Sequence, residues 1–368
     1  MIVPISILPY VSYARRQLFG DIPLSAAAFR QEVLCAAETI RIRNAVFVPE
    51  QVDRITATDP GASLQAEILS ATSEIIRTVP TIAYHIRDAV LVDGSIYKGQ
   101  FKSFVAARSL FKSSPRVEPY HIETIGLASS HLGSRYFGHW LVDDCLQYEL
   151  ATEHGQPLCL RGPVYPEHQK KYQSYFGQVW TPIDRARIDQ LIVYQDYHWG
   201  TAHDSLRAKL FRSLRKRARA HLPVTAPATL IYLKRGSAGV KRKILDEDRL
   251  LEDLEKSGFT IIDFETESLD ELLSKLSSAK IVVSLEGSHA SHCTFSIPEN
   301  SGLIILQPAD RFLSFHRGWT TAAGVWFGFV VGLPSENGYK FAASEILQCV
   351  EMMTRRMAKE PIVATEHD

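Results

Sequence analysis

Three short clusters in this chain set ionisable side chains beside apolar runs. Arg135–Asp144 reads RYFGHWLVDD, Leu233–Glu247 reads LKRGSAGVKRKILDE, and Val282–His292 reads VVSLEGSHASH. In the first, His139 and Asp143 are four residues apart and fall on one face of a helix. A carboxylate beside an imidazole can accept a hydroxyl proton, or fix the tautomer of the imidazole. Asp143 is the preferred base. Asp144 falls on another face and is expected to be solvated, while Trp140 can either stack on a sugar or fill core.

The other two clusters suit an anion. Lys234, Arg235, Lys241, Arg242 and Lys243 surround a Gly/Ser-containing loop, and arginine can bind phosphate oxygens in pairs. The pattern is not GxxxxGK[ST], so it is no Walker loop. In the third cluster, Gly287 permits close approach of a ligand, and a helix beginning near Ser288 would aim free amides at a diphosphate. Glu286 and His289 are placed to hydrogen-bond a ribose, sugar or phosphate, and they join Asp143 and His139 as candidate catalytic groups. His292 lies one turn beyond His289. No third ligand makes a metal set, and no GxSxG elbow marks a serine hydrolase. Together the clusters describe an active site split between two lobes, for a phosphorylated or sugar-like substrate.

Composition narrows the class. With 41 Lys plus Arg against 41 Asp plus Glu, the chain lacks the basic excess of a nucleic-acid binder. Five cysteines show neither CxxC spacing nor an even count, as expected of a reduced cytoplasmic protein. The N-terminal apolar run precedes its Arg pair, the wrong order for a signal peptide, and no run reaches the ~18–20 apolar residues of a spanning helix. A chain of 368 residues exceeds the size at which one core stops growing, so two domains are expected.

The elements that must position these clusters follow from periodicity. Tyr136–Leu150 reads as a helix. Tyr84–Tyr97 reads as two strands joined at Asp93-Gly94, a hairpin signal within a partly antiparallel N-terminal region. Gly155–Gly162 reads as a turn and strand, and Gln190–Tyr194 as a strand. Ser205–His221 is a basic amphipathic helix: Leu206, Leu210, Leu214 and Ala218 form its packed face, and seven Lys or Arg stay wet. It serves as a linker, and leaves room for peripheral membrane contact. Pro223 and Pro227 mark a boundary. Beyond them, short apolar strands at Thr229–Leu233, Thr260–Phe264, Lys280–Leu285 and Leu303–Leu306 alternate with helices at Asp246–Lys256 and Leu269–Ser278. Ser268 with Glu271 matches a capping box. This alternation implies a mostly parallel α/β sheet, with Lys234-Arg235, Glu265 and Glu286–His289 on its carboxyl rim.

These residues together resemble the glycosyltransferase family 61 domain over about Glu123–Gln307. The carrying motifs are YFGHWLVDD, IYLKRGSAGVKRKILDE, GFTIIDFETESLDE and AKIVVSLEGSHASHCTF. The resemblance implies a GT-B-like α/β enzyme with two Rossmann-like lobes facing across a cleft, the first carrying extra antiparallel strands. It implies an N-terminal acceptor-side lobe (1–221), a C-terminal nucleotide-sugar donor lobe (222–342), and a C-terminal helix and tail (343–368). It further implies inversion without a metal, and a place in capsular or other surface polysaccharide biosynthesis; the expected location is the cytoplasm, with room for contact at the inner face of the membrane through the 205–221 basic helix. His139, Trp140 and Asp143 match the HWxxD-type segment; Arg235 and Arg242 match the donor-lobe arginines. Lys234, Gly287, Ser288 and Glu247 join these two as donor contacts, with Asp246-Glu247 at the usual Asn-Glu pair. Where many relatives carry His-Gly-Ala-Gly, this chain has Glu286-Gly287-Ser288-His289. The rival expectations are a nucleotide-sugar-processing enzyme that needs no glycan acceptor, and a non-catalytic polysaccharide-assembly protein.

Overall fold

The computed structural model describes residues 5, 7–106, 119–162, 166–195, 204–224, 229–236 and 242–360. Ser237, Gly239, Lys241, Pro227 and the tail after 360 lie outside them. The chain divides into two compact α/β units, each built on its own sheet, in keeping with the expected two-lobed architecture. One comprises residues 1–37, 80–196 and 204–210; the other comprises 38–79, 197–203 and 211–368. Neither is a continuous stretch of chain.

The first unit holds β1 (Arg30–Cys35), β4 (Thr81–Val92), β5 (Ser95–Lys98), β6 (Phe101–Phe104), β7 (Tyr120–Gly126) and β8 (Arg185–Gln195). The sheet order is β6-β5-β4-β8-β7, with β1 also paired to β4. Every pair is antiparallel except β7 with β8. The β4–β5 turn is the expected one. Asp93 and Gly94 have φ of 46° and 74°, the left-handed pair of a two-residue hairpin whose twist matches its strands. Gly155–Gly162 forms no strand of its own; Leu158 and Cys159 make only isolated bridges to Leu127 and Pro182. Buried Ile86, Leu91, Ile125 and Leu191 form the core beneath this sheet.

In the second unit, β9 (Thr229–Lys234), β10 (Phe259–Asp263), β11 (Ala279–Leu285), β12 (Gly302–Gln307) and β13 (Trp326–Val331) form a wholly parallel sheet ordered β10-β9-β11-β12-β13. Every residue of β12 and β13 is buried, as continuous apolar runs demand when helices cover both faces. The helix Leu269–Leu276 starts on the expected capping box, and Leu269, Leu272, Leu273 and Leu276 are buried. Residues 38–79 supply the small pair β2 (Thr39–Arg41) and β3 (Ile75–Arg77), and Val46 bridges Gly328 at the edge of β13. A hairpin, β14 (Leu333–Ser335) and β15 (Gly338–Lys340), precedes the last helix, Ala343–Lys359. No helix among the described residues is long and apolar enough to cross a membrane.

That strand order dictates where a ligand fits. From β9 the chain steps to one side for β10, then to the other for β11, β12 and β13. The crevice outside the carboxyl ends of β9 and β11 is therefore the topological switch point of the sheet. The second and third clusters of the sequence follow those two strands.

Candidate active site

In the first unit, the helix expected over Tyr136–Leu150 contains a wide turn. Trp140–Asp144 is π-helical, with the Cys145 amide reaching back to the Trp140 carbonyl. Such turns recur at functional sites, because the extra residue redirects side chains. His139 Nδ1 lies 2.7 Å from Asp143 Oδ2, and both side chains are nearly buried. The carboxylate accepts from Nδ1–H, so the tautomer it selects carries its basic lone pair on Nε2. Trp140 is core: it is buried against Phe137 and Trp180, with ring centroids 5.7 and 5.4 Å away.

Asp144 corrects the sequence reading. It is buried rather than solvated, and it accepts from the Ser130 amide at 3.1 Å and the Ser130 hydroxyl at 2.6 Å. Burial pushes its carboxyl well above the usual range, against the lowering effect of the Ser130 bonds. A Cβ on Gly133 would sit 2.1 Å from Asp144 Oδ2, so only glycine lets the loop close over it. The carboxyl thereby fixes the turn that leads into His139.

The basic helix, Ser205–Arg219, also departs from expectation: Arg207 and Arg215 are buried. Arg207 Nη2 lies 3.5 Å from the Asp143 carbonyl, within the first unit. In the second unit, Arg215 donates to the carbonyls of Thr294 and Ile297, and Arg219 donates to that of Ser296. These carbonyls end the short helix Ser291–Ser296, where acceptors are left over and a cation is favoured. Burial pulls the Arg215 pKa down from its usual value.

At the switch point of the second unit, Arg235 follows β9 and Glu286 follows β11. Arg235 Nη1 and Arg242 Nη1 each donate to the Glu286 carbonyl at 2.8 Å. Arg242 also pairs with the Glu286 carboxylate, Nη1 to Oε2 at 2.6 Å, with both side chains buried. Gly287 allows this approach. A Cβ there would lie 2.9 Å from Arg235 Nη1 and 3.0 Å from His289 Nδ1. Ser288–Ala290 makes a single 3-10 turn before Ser291–Ser296, so the anticipated helical start after the strand is present, though short. Ser288 itself is half-buried.

His289 is fixed from behind. Ser284 Oγ donates to the Leu233 carbonyl at 2.9 Å, which uses its one hydrogen. The 2.8 Å contact of that oxygen with His289 Nε2 is then a bond donated by the imidazole, which leaves Nδ1 as the acceptor. Burial, then the charges of Arg235 and His316, push its pKa down to about 3. The unfolded imidazole titrates near 6.5, so between about pH 6.5 and 3 the unfolded chain binds a proton that the folded one refuses. This stability is fully present above pH 6.5 and is lost as pH falls. Urea unfolding of His289→Gln should therefore show a shallower acid loss than the parent, by up to ~1.4 kcal/mol per pH unit. Parallel pH profiles for the two proteins would contradict the buried neutral imidazole.

The remaining candidates are placed less directly. Lys234, the last residue of β9, pairs with Asp263 of β10 at 3.4 Å. Tyr232 Oη donates to Glu247 Oε1 at 3.4 Å; burial raises the Glu247 pKa, and the Lys234 charge partly opposes it. His292 is fully buried beside Phe264, with ring centroids 5.4 Å apart. Glu265 is exposed and packs over Gly236. His316, which the sequence reading missed, lies with Nε2 3.5 Å from the Gly287 carbonyl. Nothing in its FHRGW context signals a role. Among the described residues, no three His, Cys, Asp or Glu side chains gather as a metal site.

Thus each unit brings part of the expected constellation together. The first holds the His139–Asp143 pair; the second gathers Arg235, Arg242, Glu286, Gly287 and His289 at the carboxyl ends of β9 and β11. Residues 137–304, which contain both groups, match the family model described as Glycosyltransferase 61. A comparison with curated proteins gives no match.

Proposed function

We propose, for a chain that carries a glycosyltransferase 61 domain over residues 137–304 and so belongs to the transferase class, that it moves a sugar from a nucleotide-sugar donor to a saccharide hydroxyl with inversion. The observation that carries the donor half is the switch point of the parallel sheet. A half-buried arginine, a glycine and the start of a helical turn meet there at the ends of β9 and β11. Arginine with free loop amides suits a diphosphate, and needs no divalent ion to offset its charge.

In this reading, Arg235 and the amides following Gly287 hold the diphosphate and stabilise the charge that builds on it as it leaves. Groups aimed at charge that develops in the transition state contribute most to such a reaction. The His139–Asp143 pair of the first unit takes the proton of the acceptor hydroxyl: His139 Nε2 as base, Asp143 holding the tautomer. The bond from the anomeric carbon to the diphosphate oxygen breaks as the acceptor oxygen attacks the opposite face. A growing surface polysaccharide is the acceptor class that the family points to.

The test is turnover. Release of nucleoside diphosphate should require a saccharide acceptor, and proton NMR of the product should show the opposite anomeric configuration to the donor. Consumption of nucleotide sugar without any acceptor would favour a hydrolase or epimerase. Binding without turnover would favour an assembly protein.

A further inference from the structure

Residues 38–79 belong to the second unit although they precede most of the first, and they lie outside the matched stretch 137–304. Their helix, Leu64–Thr72, meets the helix Phe315–Ala322 beyond β12 at two points. At the first, Glu67 Oε2 accepts from the Ser314 amide at 2.7 Å and from the Ser314 hydroxyl at 2.6 Å. Phe315–Ala322 begins on Ser314, where amides lack partners within the helix. At the second, Arg317 Nη1 donates at 2.6 Å to the Ser70 carbonyl, in the last turn of Leu64–Thr72. A carboxylate at an amide end and a guanidinium at a carbonyl end are what the two helix termini favour. Glu67, Ser314 and Arg317 are all buried. The stretch between β12 and the second helix is held too. Arg311 donates to both oxygens of Asp59, and Thr58 Oγ1 donates to the Phe312 carbonyl at 2.8 Å.

Between Ser314 and Arg317 stands His316, fully buried, with Nε2 3.5 Å from the Gly287 carbonyl. A carbonyl only accepts, so Nε2 carries the hydrogen of that contact. The same carbonyl accepts from the Ala290 amide at 3.1 Å. We infer that Glu67 is a positioning residue of the donor site: it sets the helix start that holds His316 at the Gly287 carbonyl, and so aims the Ser288 amide at the ligand diphosphate. The step from carbonyl to amide is covalent. In a planar trans peptide the two point opposite ways, so a donor on the Gly287 oxygen turns the Ser288 N–H away from His316. Ser288 opens the short turn after β11, where the first amides have no partner within the turn. That the ligand is a diphosphate rests on the transferase reading above.

Glu67→Ala, Glu67→Gln, His316→Ala and the double variant Glu67→Ala with His316→Ala test this path. Melting temperature checks the fold, and inorganic pyrophosphate affinity and donor KM are the readouts. Each single alanine change should weaken pyrophosphate binding and raise donor KM by about three- to tenfold. Glu67→Gln keeps an oxygen that can accept both Ser314 hydrogens, and should recover most of the loss. The double variant should fall within about twofold of His316→Ala alone, because the two residues act in series. Losses that multiply would mean that Glu67 acts apart from His316, and overturn the inference. So does a His316→Ala protein that binds pyrophosphate like the parent. If Glu67→Ala does not fold, Ser314→Ala takes its place: it should lose affinity in the parent and none in the His316→Ala background, and equal losses in both overturn the path. If the parent binds neither pyrophosphate nor any nucleotide sugar, the transferase reading fails, and nitrogen-15 NMR of histidine judges the path instead. The His316 signal, identified by its absence in His316→Ala, should shift in Glu67→Gln and Ser314→Ala; a signal unmoved in both overturns the inference.

Discussion

Replacing Arg235 with alanine is expected to weaken donor binding by about 10- to 100-fold while leaving the fold intact, as loss of a charge-assisted contact costs ~1.5–3 kcal/mol. Its guanidinium stands at the carboxyl end of β9, against Gly287, where the sheet order opens a crevice. It is half-buried, and its bond to the Glu286 carbonyl is duplicated by Arg242. Calorimetry with the donor and circular dichroism of the variant separate the two effects. Unchanged donor affinity in a folded variant would remove Arg235 from the site.

The second large effect is expected at His139. Its alanine variant should lose about 10²- to 10⁴-fold in kcat, the range for a general base, with little change in donor affinity. Asp143→Asn should lose turnover as well. An amide can present its NH2 group to Nδ1, favouring the other tautomer and moving the imidazole hydrogen to Nε2. The 2.7 Å contact is what links the two residues. Normal turnover in a folded His139→Ala protein would reject the pair as the proton acceptor.

How much of this was legible in the residues depends on period. β9 to β12 were readable because short apolar runs sit between helical patterns, and Ser268 with Glu271 marked a helix start that the structure repeats. β13, the apolar run WFGFVV, went unread although it is of the same kind. Asp144 was misplaced for a definite reason. A regular helix over Tyr136–Leu150 would turn Asp144 to solvent, and the π-helical turn at Trp140–Asp144 changes the phase of the faces within it. Nothing in RYFGHWLVDD announces that extra residue.

The arginines of the basic helix were a failure of composition to report position. Arg207, Phe211 and Arg215 recur every four residues, and all three are buried. That spacing was available, but a charge run reads by default as a solvated face. What settled it is long-range: Arg215 meets carbonyls some 80 residues further along the chain. The same holds for Glu286 and Arg242. Both were visible as site residues, and only the fold brings them together.

The most direct measurement is a thermal-shift screen of the purified protein against UDP-, GDP-, CMP- and dTDP-sugars, with and without EDTA. The account predicts stabilisation by one nucleotide class, unaffected by EDTA and lost in Arg235→Ala. No stabilisation by any of them, or a shift that survives the loss of Arg235, would contradict a donor site at the ends of β9 and β11.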